Sequence, residues 1–348
     1  MKRRSFLKAV GGATGGLALG MENVLAAEAG AEVERVAGLP RRVLGRTGQK
    51  VSVVGFPGLV LSRHEQKQGT EALHKAMDRG VNYFDVAPAY GDSQEKMGVG
   101  LQGIDRDKYF LACKTNKRDK AGSRADLERS LKLLKTDHFD LYQLHHLRRS
   151  DELKQAFGPD GALETLVKAK DEGKVRWLGF SAHTTVGAIG ALKAFRFDTV
   201  MFPISFVEYF LWDFGKEVLQ LAAKEGAAVL AMKAMCRGAW PKDVKQPRKW
   251  WYPAVEEPGE LEMAWRFVLS QTPVAAGIPP AVLDLLDKAI DAARKYRPIT
   301  GPELDVLRRT AKTCESLFQK EAVAARLSPS GRPVYADSPH ECGWRGLA

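Results

Sequence analysis

The chain has 348 residues and a formal net charge of +11, enough length for one large domain or two small ones. Its basic residues form no block long enough or interleaved enough with aromatics to argue for nucleic acid, and no nucleic-acid partner is expected. The four cysteines, Cys113, Cys236, Cys314 and Cys342, are too few and too scattered for a disulfide framework. Lys2, Arg3, Arg4 and Lys8 against Glu22 place +3 of the charge in the first 26 residues and leave +8 for the remainder. That remainder is either a solvated surface or an attractor of anions such as nucleotides or acidic sugars.

The chain opens with a basic start followed by a Gly/Ala/Leu-rich stretch too short to span a bilayer as an ordinary helix. Arg3-Arg4-Ser5-Phe6-Leu7-Lys8 resembles a twin-arginine export signal, with cleavage expected after Ala26 or one residue later. A Sec signal, an uncleaved anchor and a basic tail on a cytoplasmic protein are the alternative readings. The twin-arginine route carries folded proteins, often with cofactors already loaded, so its machinery is an expected partner and the periplasm the expected location. Residues 27–39 read as a polar linker, 40–327 as the folded domain and 328–348 as a Pro/Gly-rich C-terminal extension.

Beyond the linker, short apolar runs alternate with amphipathic segments, the pattern of a parallel α/β domain. "RTGQK" predicts a hairpin turn ahead of the first barrel strand. Eight strands are expected at Val51–Phe56, Asn82–Asp85, Tyr109–Lys114, Asp140–Leu144, Trp177–Phe180, Thr199–Phe202, Ala228–Met232 and Val274–Ala276. Eight such runs favour a closed (α/β)8 TIM barrel, with the hairpin as an N-terminal cap and a helical and loop extension at the C-terminus. Helices are expected between the strands, among them one capped by Ser123 and one ending at Gly173, with a last helix near Pro302–Leu327. A long loop, Arg237 to Glu260, follows the seventh strand and carries Trp240, Trp250 and Trp251. It either stacks on a sugar ring or cofactor, or packs on its own barrel edge.

Asp85, Lys114 and His145 close three successive apolar runs, and Tyr90 lies five positions past the first of these ends. An acid, a phenol, an amine and an imidazole are thus offered where a barrel carries its chemistry. A lysine beside a phenol favours the phenolate, which makes Tyr90 a candidate general acid near neutral pH. His146, next to His145, is an alternative ligand for a substrate oxygen. No zinc-ligand spacing appears, so no metal site is expected.

In order along the chain, "RRVLGRTGQKVSVVGF", "GVNYFDVAPAYGDSQEKMG", "LACKTNKRD", "SLKLLKTDHFDLYQLHH" and "EGKVRWLGFSAH" resemble the landmarks of the aldo-keto reductases. The resemblance implies an (α/β)8 barrel that binds a nicotinamide cofactor across its strand ends and transfers hydride to or from a carbonyl carbon. It implies Tyr90 as proton donor, Lys114 and Asp85 as its polarising pair, and His145 as the residue orienting the substrate. For the cofactor it implies Ser181 in "GFSAH" at the nicotinamide amide. Ala182 stands where the family usually has asparagine, and Met201 where it often has glutamine.

Met232-Lys233 resembles a subgroup with Met-Lys at that place, in which Lys233 and Arg237 meet the cofactor's phosphates, with solvent exposure as their alternative. Gly277 and the start of the next helix offer backbone N–H groups to a phosphate. NADP(H) is expected, with NAD(H) as the alternative. The Met-Lys subgroup often adds a cysteine-rich cluster segment, but with only Cys314 and Cys342 in the tail no iron–sulfur cluster is expected. Those two cysteines either form a disulfide after export or remain free thiols. Cys113 is read as buried packing and Cys236 as exposed.

The combined expectation is an exported oxidoreductase acting on a small carbonyl, alcohol or sugar, with tightly retained NADP(H) turned over in place by a second substrate. The alternative is a barrel that has lost turnover and serves as a periplasmic ligand- or partner-binding protein. Nothing in the sequence specifies an oligomeric state.

Overall fold

In the computed structural model the described residues are 34–327, apart from 242–245 and 249. The export signal, most of the linker, and the C-terminal extension with Cys342 lie outside the described residues. Three short antiparallel strands come first: β1 (Arg35–Val36), β2 (Leu39–Val43) and β3 (Lys50–Ser52). The first of these falls in the stretch read as linker; Arg35 pairs with Pro40 and Val36 with Leu39.

Eight parallel strands follow: β4 (Gly55–Pro57), β5 (Tyr83–Asp85), β6 (Phe110–Thr115), β7 (Phe139–Leu147), β8 (Val175–Ala182), β9 (Thr199–Pro203), β10 (Ala228–Met232) and β11 (Val274–Ile278). Each pairs with the next, and a bridge between Val54 and Gly277 joins the last to the first. This is an (α/β)8 TIM barrel. The run expected as one strand, Val51–Phe56, is two. Ser52 ends the hairpin by donating its hydroxyl to the Val54 carbonyl while its N–H goes to the Asn82 side chain, and the chain turns into the barrel there.

Side chains alternate across each strand. Tyr83 and Leu230 point into the barrel, whereas Phe84 and Val229 face the helices. Tyr83, Phe110 and Trp177 stack inside at centroid spacings of 5.5 and 5.9 Å. Leu44 and Val51 of the hairpin join this inner cluster and plug the N-terminal end. Gly45 makes the plug possible: its φ is +50°, and a Cβ there would lie 2.8 Å from the Ala228 nitrogen.

The surrounding helices include α1 (Gln66–Asp78), α2 (Ser93–Gly100), α3 (Lys120–Leu134), α4 (Ser150–Phe157), α5 (Ala162–Asp171), α6 (Thr185–Ala194), α7 (Phe206–Trp212), α8 (Lys216–Glu225), α9 (Pro258–Leu269) and α10 (Leu283–Arg294). Helix α3 is capped by Asp119, whose carboxylate accepts the Gly122 N–H at 2.7 Å, and so begins ahead of Ser123. The expected last helix is two, α11 (Gly301–Ala311) and α12 (Gln319–Leu327). Between them Ser316 and Leu317 turn onto the buried carboxylate of Glu208, at 2.6 and 2.7 Å. Among the described residues no helix is long and apolar enough to cross a membrane.

Candidate active site

A cavity of about 600 Å³ opens at the C-terminal ends of the barrel strands, where parallel barrels carry their chemistry. Asp85 is the last residue of β5, and the segment Gly58–Arg63 passes directly over it. The approach requires glycine, since a Cβ on Gly58 would lie 2.3 Å from the Asp85 carbonyl oxygen. Lys114, fully buried on β6, ion-pairs with Asp85 and donates to the Val86 carbonyl and the Tyr90 hydroxyl, each at 3.3 Å. Its ammonium also sits 5.0 Å from the centre of the Tyr90 ring. The ring of His145, from β7, meets that of Tyr90 edge-on at 5.8 Å. The four residues expected to work together are therefore in one contiguous group.

Their charges follow from burial and pairing. Burial disfavours the ammonium of Lys114, but Asp85 and Tyr90 outweigh it and hold the pKa above its usual value. Burial pushes the Tyr90 phenol up to about 12, against the pull of Lys114. This corrects the expectation of a phenol brought toward neutrality: next to a lysine already neutralised by Asp85, burial decides. Burial and then Lys114 hold the His145 imidazole well below its usual value, so it is neutral at neutral pH.

The neighbouring histidine is differently placed. Between Leu144 and Leu147 the register of β7 against β8 slips, and His146 takes a left-handed φ of +61°. Such bulges re-aim side chains at strand ends. The His146 N–H donates to the Ser181 hydroxyl at 2.7 Å, and its ring meets His183 edge-on at 4.3 Å. His145 faces Tyr90, and His146 faces away toward β8.

Of the residues expected to hold a cofactor, Ser181, Met201 and Lys233 line the cavity, and Met232 joins them. Lys233 is buried with φ +63°, and its ammonium lies 4.0 Å from the centre of the Trp251 ring. Burial pushes its pKa down to about 8. Arg237 and Gly277 are not among the lining residues. Arg237 is paired with Glu260 at 2.9 Å. The Gly277 N–H is consumed by the Val53 carbonyl at 2.9 Å in closing the barrel, so it is not available to a phosphate. Cys236, expected to be exposed, is buried, with its thiol 3.5 Å from the Gly238 carbonyl.

The described end of the tryptophan loop turns inward. Trp250, Trp251 and Tyr252 line the cavity, and the Arg63 guanidinium lies 5.0 Å from the centre of the Trp250 ring. Sequence reasoning missed Arg63 and a group of cavity-lining residues after β6 and β7, Asn116, Arg118, Arg148 and Arg149. Their position beyond strand ends was the one available signal. Among the described residues no group of three or more metal-ligating side chains is placed to hold a metal ion.

The aldo/keto reductase family model matches residues 59–257. The chain is similar to L-galactose dehydrogenase of Arabidopsis thaliana, 28% identical over 232 residues, covering 62% of this chain and 70% of that protein. It is 29% identical over 214 residues to aldo-keto reductase YhdN of Bacillus subtilis, covering 55% of this chain and 61% of that one. Among solved structures, the holo form of aldo-keto reductase AKR11C1 from Bacillus halodurans superposes with a TM-score of 0.64 at 22% identity, over 82% of this chain and 99% of that one. An aldo-keto reductase from Klebsiella pneumoniae in complex with NADPH gives 0.60 at 21% identity, over 77% and 93%. At these identities the structural likeness speaks for the fold. Because the family model spans more than half of a chain folded as this barrel, the chain belongs to the aldo/keto reductase family of NAD(P)-dependent oxidoreductases acting on carbonyl and alcohol groups.

Proposed function

We propose that this chain is an exported aldo-keto reductase that retains NADP(H) and interconverts the carbonyl and alcohol groups of small substrates such as sugars. The observation that carries the reading is the Lys114 ammonium, which joins Asp85 to the Tyr90 hydroxyl beside His145 at the floor of one cavity. A nicotinamide cofactor fits the donor set. Met201 and Met232 supply an apolar wall, the Ser181 hydroxyl keeps a proton to donate, and Lys233 is a buried cation facing the same space. NADP(H) is favoured by that cation and by the NADPH bound to the Klebsiella protein. A sugar substrate is suggested by the similarity to L-galactose dehydrogenase.

A nicotinamide held by Ser181, Met201, Met232 and Lys233 would supply the hydride chemistry at the substrate carbon. Tyr90 gives its proton to the substrate oxygen in reduction and recovers it in oxidation. A phenol held near 12 is fully protonated at neutral pH and is ready to donate. Lys114, fixed by Asp85, stabilises the phenolate left behind, and this cation counts for more in a buried site than in water. His145, kept neutral, donates a hydrogen bond to the same oxygen and orients the carbonyl.

Export rests on the twin-arginine-like start, Arg3 to Lys8. Away from the cytoplasmic nicotinamide pool, the enzyme keeps its cofactor and restores it with a second substrate, which makes the kinetics ping-pong. Two measurements test this. Residues 1–30 fused to a reporter that needs folded export should deliver it to the periplasm, and changing Arg3-Arg4 to Lys-Lys should stop delivery. Purified protein given an alcohol and a carbonyl without added nucleotide should exchange them. Cytoplasmic retention of the reporter, or exchange that depends on added nucleotide, would contradict the reading.

A further inference from the structure

Beneath Asp85, Lys114 and His145 the barrel interior is polar. Tyr83 lies two residues before Asp85 on β5, and Gln143 two residues before His145 on β7, so each shares the inner face with that neighbour. Gln143 is also the ladder partner of Lys114 on β6. Barrel interiors are filled mostly by branched apolar residues, whereas here a phenol and a carboxamide take those places, both fully buried. Tyr83 Oη, Gln143 Oε1 and Nε2, and Asp85 Oδ1 make no hydrogen bond of ordinary geometry among the described residues. Buried polar groups are rarely left so, and a group of them calls for a common cause. Asp85 gives Oδ2 to Lys114, which leaves Oδ1 for another donor. The Thr199 hydroxyl, a further orphan, overhangs Gly179, the other ladder partner of Gln143: a Cβ on Gly179 would lie 2.2 Å from it. It is the available donor for the carboxamide oxygen once the amide N–H turns to Asp85.

Both side chains bear on Asp85. Burial pushes its carboxyl up, and Lys114, then Gln143 and Tyr83, pull it back toward the charged form. Burial and the nearby Asp85 hold the Tyr83 phenol well above its usual value, so it keeps a proton to donate. Gln143 does not titrate and offers its N–H at any pH. The titratable groups around Asp85 are thus Lys114, Tyr83 and, beyond the lysine, Tyr90. We propose that Gln143 and Tyr83 are positioning residues for the proton transfer: they hold the second oxygen of Asp85, which aims the first at Lys114 and keeps the ammonium against the Tyr90 hydroxyl. Neither residue is among those lining the cavity, so both act through Asp85 and meet neither substrate nor cofactor. Hydrogen bonds to a charged group are among the stronger ones in proteins, and a buried carboxylate has no water to replace them. The assignment deepens the oxidoreductase reading and rests on it.

The test uses the full chain with NADPH and either benzaldehyde or glyceraldehyde. Gln143→Met and Tyr83→Phe nearly keep the side-chain volume and remove the donor. Each should lower kcat about tenfold and leave KM for the aldehyde unchanged. Both donors favour the charged carboxylate, so losing either raises the Asp85 pKa, and the acid limb of the kcat profile should move to higher pH by about one pH unit. Gln143→Asn keeps an N–H donor on a shorter stem and should recover part of the rate. Because Gln143 acts through Asp85, Gln143→Met should add nothing to the loss in Asp85→Asn. An unmoved pH profile, or losses that add in full, would mean a purely structural role and overturn the proposal. Turnover of no aldehyde counts against the oxidoreductase reading itself, and infrared titration then decides the positioning. The carboxylic-acid band that Asp85→Asn removes should titrate at higher pH in Gln143→Met and Tyr83→Phe, and an unshifted midpoint overturns the assignment. Tyr83→Phe carries both measurements should Gln143→Met fail to fold.

Discussion

Lys114 meets Tyr90 twice, through a 3.3 Å hydrogen bond to the hydroxyl and through an ammonium lying 5.0 Å from the ring centre. Both contacts favour the phenolate, yet burial keeps the phenol's pKa near 12. The pair is therefore set to donate a proton and then to stabilise the anion that remains.

Tyr90→Phe should lower the rate of carbonyl reduction roughly 10²- to 10⁴-fold while nucleotide binding changes little, because the phenyl ring still fills the wall. Lys114→Met should lose at least as much. Stopped-flow nicotinamide absorbance separates the two effects. Loss of binding in Tyr90→Phe with an unchanged chemical rate would remove Tyr90 from the proton-transfer step.

Lys233 predicts a pH dependence. Burial pushes the pKa of its ammonium down to about 8. The charged form attracts an anionic cofactor, so affinity is fullest below that pKa and falls as pH rises through it. A bound phosphate raises the pKa and moves the loss to higher pH. Calorimetric titration of NADPH into protein first stripped of its nucleotide by unfolding and refolding, between pH 6.5 and 9.5, checks this. Lys233→Met should bind more weakly at pH 7 and lose the pH dependence.

Trp251 lies against that ammonium at 4.0 Å. Trp251→Ala removes the contact that holds Lys233 and opens one side of the cavity, and nucleotide release should accelerate by up to about 30-fold, the ~2 kcal/mol of a desolvated cation–π contact. Release followed by a fluorescent nucleotide chase would show it, and an unchanged rate would assign the loop to packing alone.

Glu208 fastens the segment between α11 and α12. Its carboxylate accepts from the Trp212 indole, the Ser316 hydroxyl and the Leu317 N–H. Glu208→Ala leaves these donors unsatisfied and should cost about 3 kcal/mol, with protease sensitivity appearing first near residues 312–318. Denaturant unfolding with limited proteolysis measures both.

The barrel and its four-residue group were legible because strand ends are marked by where apolar runs stop, and Asp85, Lys114 and His145 stand at or near such ends. What was not legible depends on partners distant in sequence. Arg237 looked available for phosphate until Glu260 took it, and Gly277 spent its N–H on barrel closure with Val53. The division between His145 and His146 arises from a register slip set by β8. The arginine cluster gathers side chains from two loops that meet only once the barrel has formed. The tyrosine's pKa was misjudged for a similar reason, since burial is a property of the packed site and not of its neighbours in sequence.

The most direct test of the account is to purify the full chain from the periplasm, denature it, and identify any released nucleotide by absorbance and mass. Nearly one NADP(H) per chain is the predicted result. A protein that releases no nucleotide and fails to take up added NADP(H) or NAD(H) would contradict the account and turn attention to a barrel that only binds.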